Sequence, residues 1–160
     1  MTRILRIGVI SDTHGLVRPE VSAAFAGVDA ILHAGDIGGA HVLKALRAIA
    51  PVTFVEGNND DASGEEIVRA TLGGLRILLT HILPKPQKPA RRVLDALRDE
   101  PADVVIFGHS HMQFNGRVGE VWYFNPASAG PRRFHLPVSV GLLEKRRKEW
   151  CATHVALIGP

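Results

Sequence analysis

Seven side chains that can bind a metal ion follow five short apolar runs of the sequence. Each run is bounded by glycine or polar residues, a pattern typical of a buried strand. The seven side chains are Asp12, His14, Asp36, Asn58, His81, His109 and His111. Open α/β sheets carry their chemistry in the loops after the carboxyl ends of strands, so we expect these residues to converge on one metal site.

The residue types favour a borderline divalent transition metal. Four imidazoles, two carboxylates and one amide oxygen suit Mn, Fe, Zn, Ni or Co, whereas Ca²⁺ and Mg²⁺ prefer all-oxygen sites. Seven ligands exceed the number that one ion with an open position binds. They match two ions that share a carboxylate. Two dications and two carboxylates leave a net positive centre, which attracts an anionic phosphate ester and stabilises its transition state.

The rest of the pattern predicts the elements that position these loops. Strands are expected at residues 7–10, 30–32, 52–55, 77–79 and 104–107, and helices at residues 19–26, 42–49 and 89–99. The last third has strand-like segments with turns at Asn115-Gly116 and Gly119-Glu120. Parallel strands need crossover helices and antiparallel strands need only turns. We therefore predict a single domain over residues 1–160, a four-layer α/β/β/α sandwich of two mixed sheets flanked by helices.

Composition excludes several classes of protein. Hydrophobic residues make up 46% and charged residues 22%, values typical of a globular domain. The longest apolar stretches are shorter than the roughly 18 residues of a membrane span, and a single cysteine provides no disulfide framework. We expect a cytoplasmic protein with no membrane partner. The net charge of +3 is dispersed, and we interpret the basic run at residues 144–149 as a hairpin tip, not a nucleic-acid surface.

The order of the motifs resembles that of calcineurin-like metallophosphoesterases. The motifs are Asp12-Thr13-His14, Gly35-Asp36, Gly57-Asn58-Asn59-Asp60, His81 and Gly108-His109-Ser110-His111. The compact length, Asn125-Pro126-Ala127-Ser128 and the following Pro131-Arg132-Arg133 are similar to the small prokaryotic YfcE-type phosphodiesterases. The resemblance implies the α/β/β/α fold and a hydrolase that acts on phosphate esters.

The resemblance also implies how the ligands divide between two ions. One ion would be held by Asp12, His14, Asp36 and His111, and the other by Asp36, Asn58, His81 and His109, with Asp36 as the bridge. The cofactors would be two divalent transition-metal ions, manganese before Fe, Zn, Ni or Co. A metal-bridging water or hydroxide would attack phosphorus in line. Asp36, Asn58 and His109 are therefore the predicted catalytic residues.

The sequence specifies the substrate less fully than it specifies the metal ligands. Many larger relatives carry a histidine that assists the leaving group where this chain has Asn59. An amide cannot donate a proton as an acid does, so a small phosphodiester is favoured over a monoester with a poor leaving group. Asn59, His41 and Arg132 are the candidate substrate contacts; an arginine can bind phosphate in a bidentate manner. Ile82 follows His81 where relatives often have glycine, which leaves the course of that loop open.

Two nearby residues are interpreted as supports. His33 is expected to be a hydrogen-bonded core histidine, and Asp60 is expected to order the loop of Asn58. Two other functions stay open: a phosphomonoesterase that acts on nucleotides or phosphoproteins, and a catalytically silent scaffold like the retromer subunit that resembles this family. The physiological substrate, the native metal and self-association also stay open.

Overall fold

The structure, a computed structural model, describes residues 4–60 and 66–158. Within them the first half of the chain forms β1 (Arg6–Ile10), α1 (Glu20–Ala24), β2 (Ala30–His33), α2 (Ala40–Arg47), β3 (Val52–Phe54), β4 (Ile67–Leu72) and β5 (Leu75–Thr80). The second half forms α3 (Arg91–Asp99), β6 (Val104–Ile106), β7 (Gln113–Val118), β8 (Val121–Pro126), β9 (Ser139–Arg146) and β10 (Glu149–Ala156). The five predicted ligand-bearing strands and the three predicted helices are all present.

The strands form two mixed sheets. The first has the order β10-β9-β1-β2-β3, in which β1, β2 and β3 are parallel and β9 and β10 are antiparallel. The second has the order β4-β5-β6-β8-β7, in which β5, β6 and β8 are parallel and both edge strands are antiparallel. Each sheet therefore has three parallel strands, whose carboxyl ends lie at one edge.

Alternation along the strands produces three apolar layers, because successive side chains of a strand point to opposite faces. Ile7 and Val9 of β1 pack with Ile77 and Leu79 of β5 in the layer between the two sheets. On its other face, β1 directs Ile10 toward α1 and α2, which cover the first sheet.

The second sheet is covered in the same way. Leu78 of β5 and Val105 of β6 pack against Val93, the buried residue of α3. Helices therefore lie outside each sheet, and the predicted four-layer α/β/β/α sandwich is confirmed. None of the helices in the described ranges combines the length and apolarity required to span a bilayer.

One predicted turn is wrong. Asn115-Gly116 lies inside β7, where Asn115 pairs with Phe124 and Gly116 with Tyr123 of β8. The Asn115 side chain accepts a hydrogen bond from Trp122 Nε1 at 2.7 Å. This cross-strand pairing outweighs the local preference of Asn-Gly for a tight turn. The predicted turn at Gly119-Glu120 is present between β7 and β8.

The basic run does form a hairpin tip. Residues 144–146 belong to β9, Arg147 and Lys148 make the turn, and Glu149 begins β10.

Candidate metal centre

The seven predicted ligands lie together at the carboxyl edge of the parallel strands. Asp12, His14 and His111 form one group, and Asp36, His81 and His109 form another; within each group the candidate ligand atoms lie within 4.8 Å of one another. Asn58 adjoins the second group, since its Oδ1 lies 3.1 Å from His109 Nδ1. The family resemblance implies the same two groups, except that it places Asp36 in both of them.

The Asp36 carboxylate lies close to histidines of both groups. Its Oδ2 lies 3.3 Å from His81 Nε2 and 3.8 Å from His14 Nε2, one histidine from each group. Asp12 Oδ1 is similarly placed, 3.3 Å from His111 Nε2 and 3.8 Å from His81 Nε2. Both carboxylates therefore present an oxygen to both groups, which is the arrangement that a bridging ligand needs.

Backbone hydrogen bonds join the loops that carry these carboxylates. The Asp12 N–H donates to Gly35 O and the His14 N–H donates to Asp36 O, each at 2.9 Å. Backbone hydrogen bonds thus hold the loop after β1 against the loop after β2. This pairing explains why ligands that are more than twenty positions apart in sequence have a common orientation.

Hydrogen bonds also orient the carboxylate of Asp12. Its Oδ2 accepts hydrogen bonds from Ser11 Oγ at 2.6 Å and from the His109 N–H at 3.1 Å. Its Oδ1 is buried without a hydrogen-bond partner and faces the histidines. Supporting hydrogen bonds of this kind are typical of metal ligands.

His81 tests whether the residues fit a metal ion. Its Nδ1 lies 2.7 Å from Ala34 O, and a carbonyl can only accept, so Nδ1 carries a proton. In the neutral imidazole Nε2 then bears the lone pair, and it is buried without a hydrogen-bond partner, 3.3 Å from Asp36 Oδ2. A cation between these electron-rich atoms removes their repulsion. The imidazole and carboxylate donors thus fit a divalent metal ion.

Five of the seven predicted ligands share an unusual backbone conformation. Among the described residues, eight non-glycine residues have positive φ, and five of them are Asp12, His14, Asp36, His109 and His111. This left-handed region disfavours residues with a Cβ, so the surrounding structure must hold the ligands in place. A strand-loop pattern in the sequence does not indicate this strain.

Two glycines next to the ligands are required by close packing. A Cβ on Gly57 would lie 2.1 Å from Asp36 Oδ1, and a Cβ on Gly108 would lie 2.1 Å from Ser11 Oγ. A side chain at either position would displace a carboxylate or the group that supports it.

Local electrostatics keep two ligands in the protonation state that binds metal. Burial alone would raise the pKa of Asp12, but the adjacent imidazoles of His111 and His81 and the hydrogen bond from Ser11 lower it below the usual value. Burial lowers the pKa of His14 despite the charges of Asp36 and Asp12, and the positive charge of Arg133 lowers it further. Ionised carboxylate and neutral imidazole are the ligand forms that divalent ions require.

His33 and Asp60 support the site as expected. His33 is fully buried; its Nδ1 accepts the Gly35 N–H at 3.1 Å and its Nε2 lies 2.9 Å from Thr13 Oγ1. Asp60 accepts backbone N–H groups from Ile37, Gly38 and Gly57 at 2.9–3.0 Å. It therefore ties the loop of Asn58 to the loop of Asp36.

The three candidate substrate contacts have different surroundings. Asn59 donates its backbone N–H and its side-chain Nδ2 to the Asp36 carboxylate, at 2.9 and 3.0 Å, so its amide positions a ligand. His41 Nε2 donates to Gly15 O at 2.7 Å. Arg132 is exposed on the loop that follows β8. A contact of any of these three with substrate stays a prediction.

Sequence reasoning missed two supporting residues. Ser11 hydrogen-bonds the Asp12 carboxylate, and Ser128 Oγ donates to Asp12 O at 2.9 Å. The available signals were the position of Ser11 directly before a ligand and the Asn-Pro-Ala-Ser motif that contains Ser128. Asn125, from the same motif, donates through Nδ2 to Gly108 O at 3.1 Å, so this motif supports two ligand-bearing loops.

Comparison with known proteins agrees with this geometry. Residues 5–148 match the calcineurin-like phosphoesterase superfamily domain. A probable metallophosphoesterase of Methanothermobacter thermautotrophicus is 38% identical over an alignment of 130 residues that covers 76% of each chain. A phosphodiesterase of Methanocaldococcus jannaschii is 26% identical over 168 residues, covering 91% of this chain and 96% of the relative. The chain therefore belongs to the calcineurin-like phosphoesterase superfamily, as its motifs indicated.

A solved structure shares the fold at low sequence identity. Vps29 from Entamoeba histolytica in complex with Zn²⁺ superposes with a TM-score of 0.70 and 24% identity, covering 96% of this chain and all of the other.

Proposed function

We propose that this protein is a dinuclear-metal-dependent phosphodiesterase. The observation that carries the proposal is the pair of adjacent ligand groups that meet at the Asp36 carboxylate. One group would hold an ion through Asp12, His14 and His111, and the other through Asn58, His81 and His109, with Asp36 shared. When bound, such ions supply Lewis acidity that activates water and neutralises charge on the phosphoryl oxygens.

The exposure of the ligands indicates the side from which substrate approaches. Asp12, Asp36, His81 and His111 are buried, whereas His14 is partly exposed and Asn58 and His109 are exposed. An ester would therefore meet the centre beside Asn58 and His109. These two residues can contact the reacting phosphoryl group directly, which supports the catalytic role proposed for them.

The absence of a proton donor at Asn59 supports a diester substrate. The Asn59 side-chain amide donates a hydrogen bond to Asp36, and an amide has no acidic proton to give to a leaving group. A leaving group of low basicity departs without protonation, whereas a basic alkoxide requires an acid. We infer that diesters or activated esters are hydrolysed faster than alkyl monoesters. The phosphodiesterase from Methanocaldococcus jannaschii, a relative over nearly the whole chain, supports the same choice.

A phosphomonoesterase remains the closest alternative, because the metal ligands alone do not select between the two ester classes. Hydrolysis rates for the mono- and bis(4-nitrophenyl) esters of phosphate distinguish the two, since both release the same leaving group. A higher kcat/KM for the monoester would reject the diester assignment.

A silent scaffold is the second alternative, suggested by the shared fold with Vps29. The complete ligand set and the strained backbone at five ligands argue against it, because strain of this kind is retained where it serves a site. Purified protein without activity on either ester, across Mn, Fe, Co, Ni and Zn, would favour the scaffold.

The deciding experiment removes the shared carboxylate. Asp36→Asn should lower the metal content from about two equivalents, measured by elemental analysis, and should reduce diester hydrolysis by about 100-fold or more. The matched control is Asp95→Asn, the same chemical change at a half-exposed position on α3. Wild-type metal content and turnover in Asp36→Asn would reject the proposal.

A further inference from the structure

Three of the four large exposed apolar side chains of the described residues lie on loops at the edge of the sheets that carries the candidate metal ligands. The four are Leu16, Leu94, Met112 and Phe134, exposed by 36%, 43%, 57% and 90%. Leu94 lies on α3, on the outer face of the second sheet. The other three lie on loops at the carboxyl edge of the strands, and we call Leu16, Met112 and Phe134 the apolar rim.

Two residues of the apolar rim lie next to predicted ligands in the sequence. Leu16 is two residues after His14, in a tight turn where its N–H donates to Thr13 O at 2.9 Å. Met112 directly follows His111. The rings of His14 and His111 approach to 3.4 Å between their Nε2 atoms, so both loops meet at the first ligand group.

The loop that carries Phe134 begins beside the loop of Asp12. Gly130 packs so closely on the Asp12–Thr13 backbone that a Cβ on it would lie 2.4 Å from Asp12 O. Arg18 Nη2 also donates to Gly130 O at 3.0 Å. Four residues later Phe134 has a φ of 54°, in the left-handed region, and its ring is almost entirely exposed to solvent.

This exposure is costly, and it is the kind that marks a binding surface. An aromatic ring in water forgoes the free energy of burial, and positive φ at a bulky residue adds backbone strain. Apolar side chains gathered at the mouth of a site, unlike single ones scattered over a surface, indicate a ligand that covers them. A phosphate ester whose phosphoryl group sits at the metal ligands must place its organic group beside them.

We propose that the apolar rim binds an apolar or aromatic alcohol group of the phosphate ester, so that esters with such groups are preferred over small alkyl esters. This inference rests on the function proposed above, because it takes the phosphoryl group to be held at the candidate metal centre. It adds the chemical class of the organic group, which the metal ligands do not specify.

Two phosphonates that resist hydrolysis test the rim without catalysis. Phenylphosphonate and methylphosphonate share the phosphoryl group and differ only in the organic group. With the manganese-loaded protein, calorimetry should give about tenfold tighter binding of phenylphosphonate. Phe134→Ala should bring the ratio of the two dissociation constants close to one, and Met112→Ala should reduce it in part.

The matched control is Leu94→Ala, which removes an exposed leucine on α3, outside the apolar rim, and should preserve the wild-type ratio. Equal binding of the two phosphonates by the wild type, or an unchanged ratio in Phe134→Ala, would overturn the inference. Diester hydrolysis by the wild type separates the two proposals. If the wild type hydrolyses diesters but binds the two phosphonates equally, only the role of the apolar rim is rejected. If neither diesters nor monoesters are hydrolysed, the proposed function fails.

A second copy of the chain is the other occupant that an apolar surface can have. Light scattering of the wild type and of Phe134→Ala measures this directly. A dimeric wild type that becomes monomeric in the variant, with no change in the phosphonate ratio, would assign the rim to self-association and reject a substrate role.

Discussion

Protonation of His33 should weaken the fold in mildly acidic solution. Burial lowers the pKa of this histidine from 6.5 to about 4. Its hydrogen bonds give a second reason, because Nδ1 accepts the Gly35 N–H. A proton on Nδ1 would place two N–H groups against each other. The neutral ring instead links Gly35 to Thr13, and Thr13 Oγ1 donates onward to Ile37 O at 2.8 Å.

The size and sign of the effect follow from the two pKa values. The unfolded chain takes up a proton near pH 6.5 and the folded chain only near pH 4, so the unfolded state binds more protons between them. Stability is therefore complete above pH 6.5 and is lost as the pH falls toward 4. At 1.36 kcal/mol per pKa unit the full loss is about 3.4 kcal/mol, of which about 2 kcal/mol is lost by pH 5.

Urea unfolding at pH 7.5 and pH 5.0, in metal-free buffer, measures this loss. His33→Asn removes the titrating ring and retains an acceptor for Gly35. Between pH 7.5 and pH 5.0, the drop in the free energy of unfolding should therefore be about 2 kcal/mol smaller in this variant than in the wild type. His135→Asn, the same change at an exposed histidine, is the matched control. Equal losses in the wild type and in His33→Asn would refute the reasoning.

Three further predictions concern the site. Gly57→Ala would place a Cβ 2.1 Å from Asp36 Oδ1, so metal affinity by titration should fall about 10–100-fold without the loss of a ligand. Gly116→Ala, where the nearest contacts are 3.4 Å, should bind normally, and equal affinities would contradict the steric argument. Asp60→Asn should lower the urea-unfolding free energy by about 1–3 kcal/mol, since an amide satisfies its three backbone donors less well; an unchanged midpoint would show that the loop of Asn58 is held otherwise. Chelation should lower the melting temperature, and manganese at 100 times its dissociation constant should restore about 2.7 kcal/mol; a melting temperature insensitive to both would argue against a bound ion.

The strands and helices were predictable because their signals are local. A buried strand shows its apolar run whatever it packs against, and a helix shows its 3.6-residue period. The failure at Asn115-Gly116 marks the limit of local signals. There, hydrogen bonds to Trp122 and pairing with β8 extend a strand through a sequence that by itself favours a turn.

The candidate ligands were predictable for a related reason, since the parallel strands bring all their carboxyl ends to one edge. The amino-acid sequence by itself therefore determined the types of the candidate ligands, their order and the edge of the sheets at which they gather. The support of those ligands could not be predicted. The Ser11 hydrogen bond, the left-handed backbone of Asp36 and the Asn59 contact all depend on which loops meet in space.

Only the tertiary structure decided which carboxylate oxygen faces the histidines, which ligands are open to solvent and where the apolar rim lies. These properties depend on distances between loops remote in sequence, such as the approach of Gly130 to Asp12. Side-chain type and local periodicity encode the faces of strands and helices, but no local pattern encodes how two loops pack against each other.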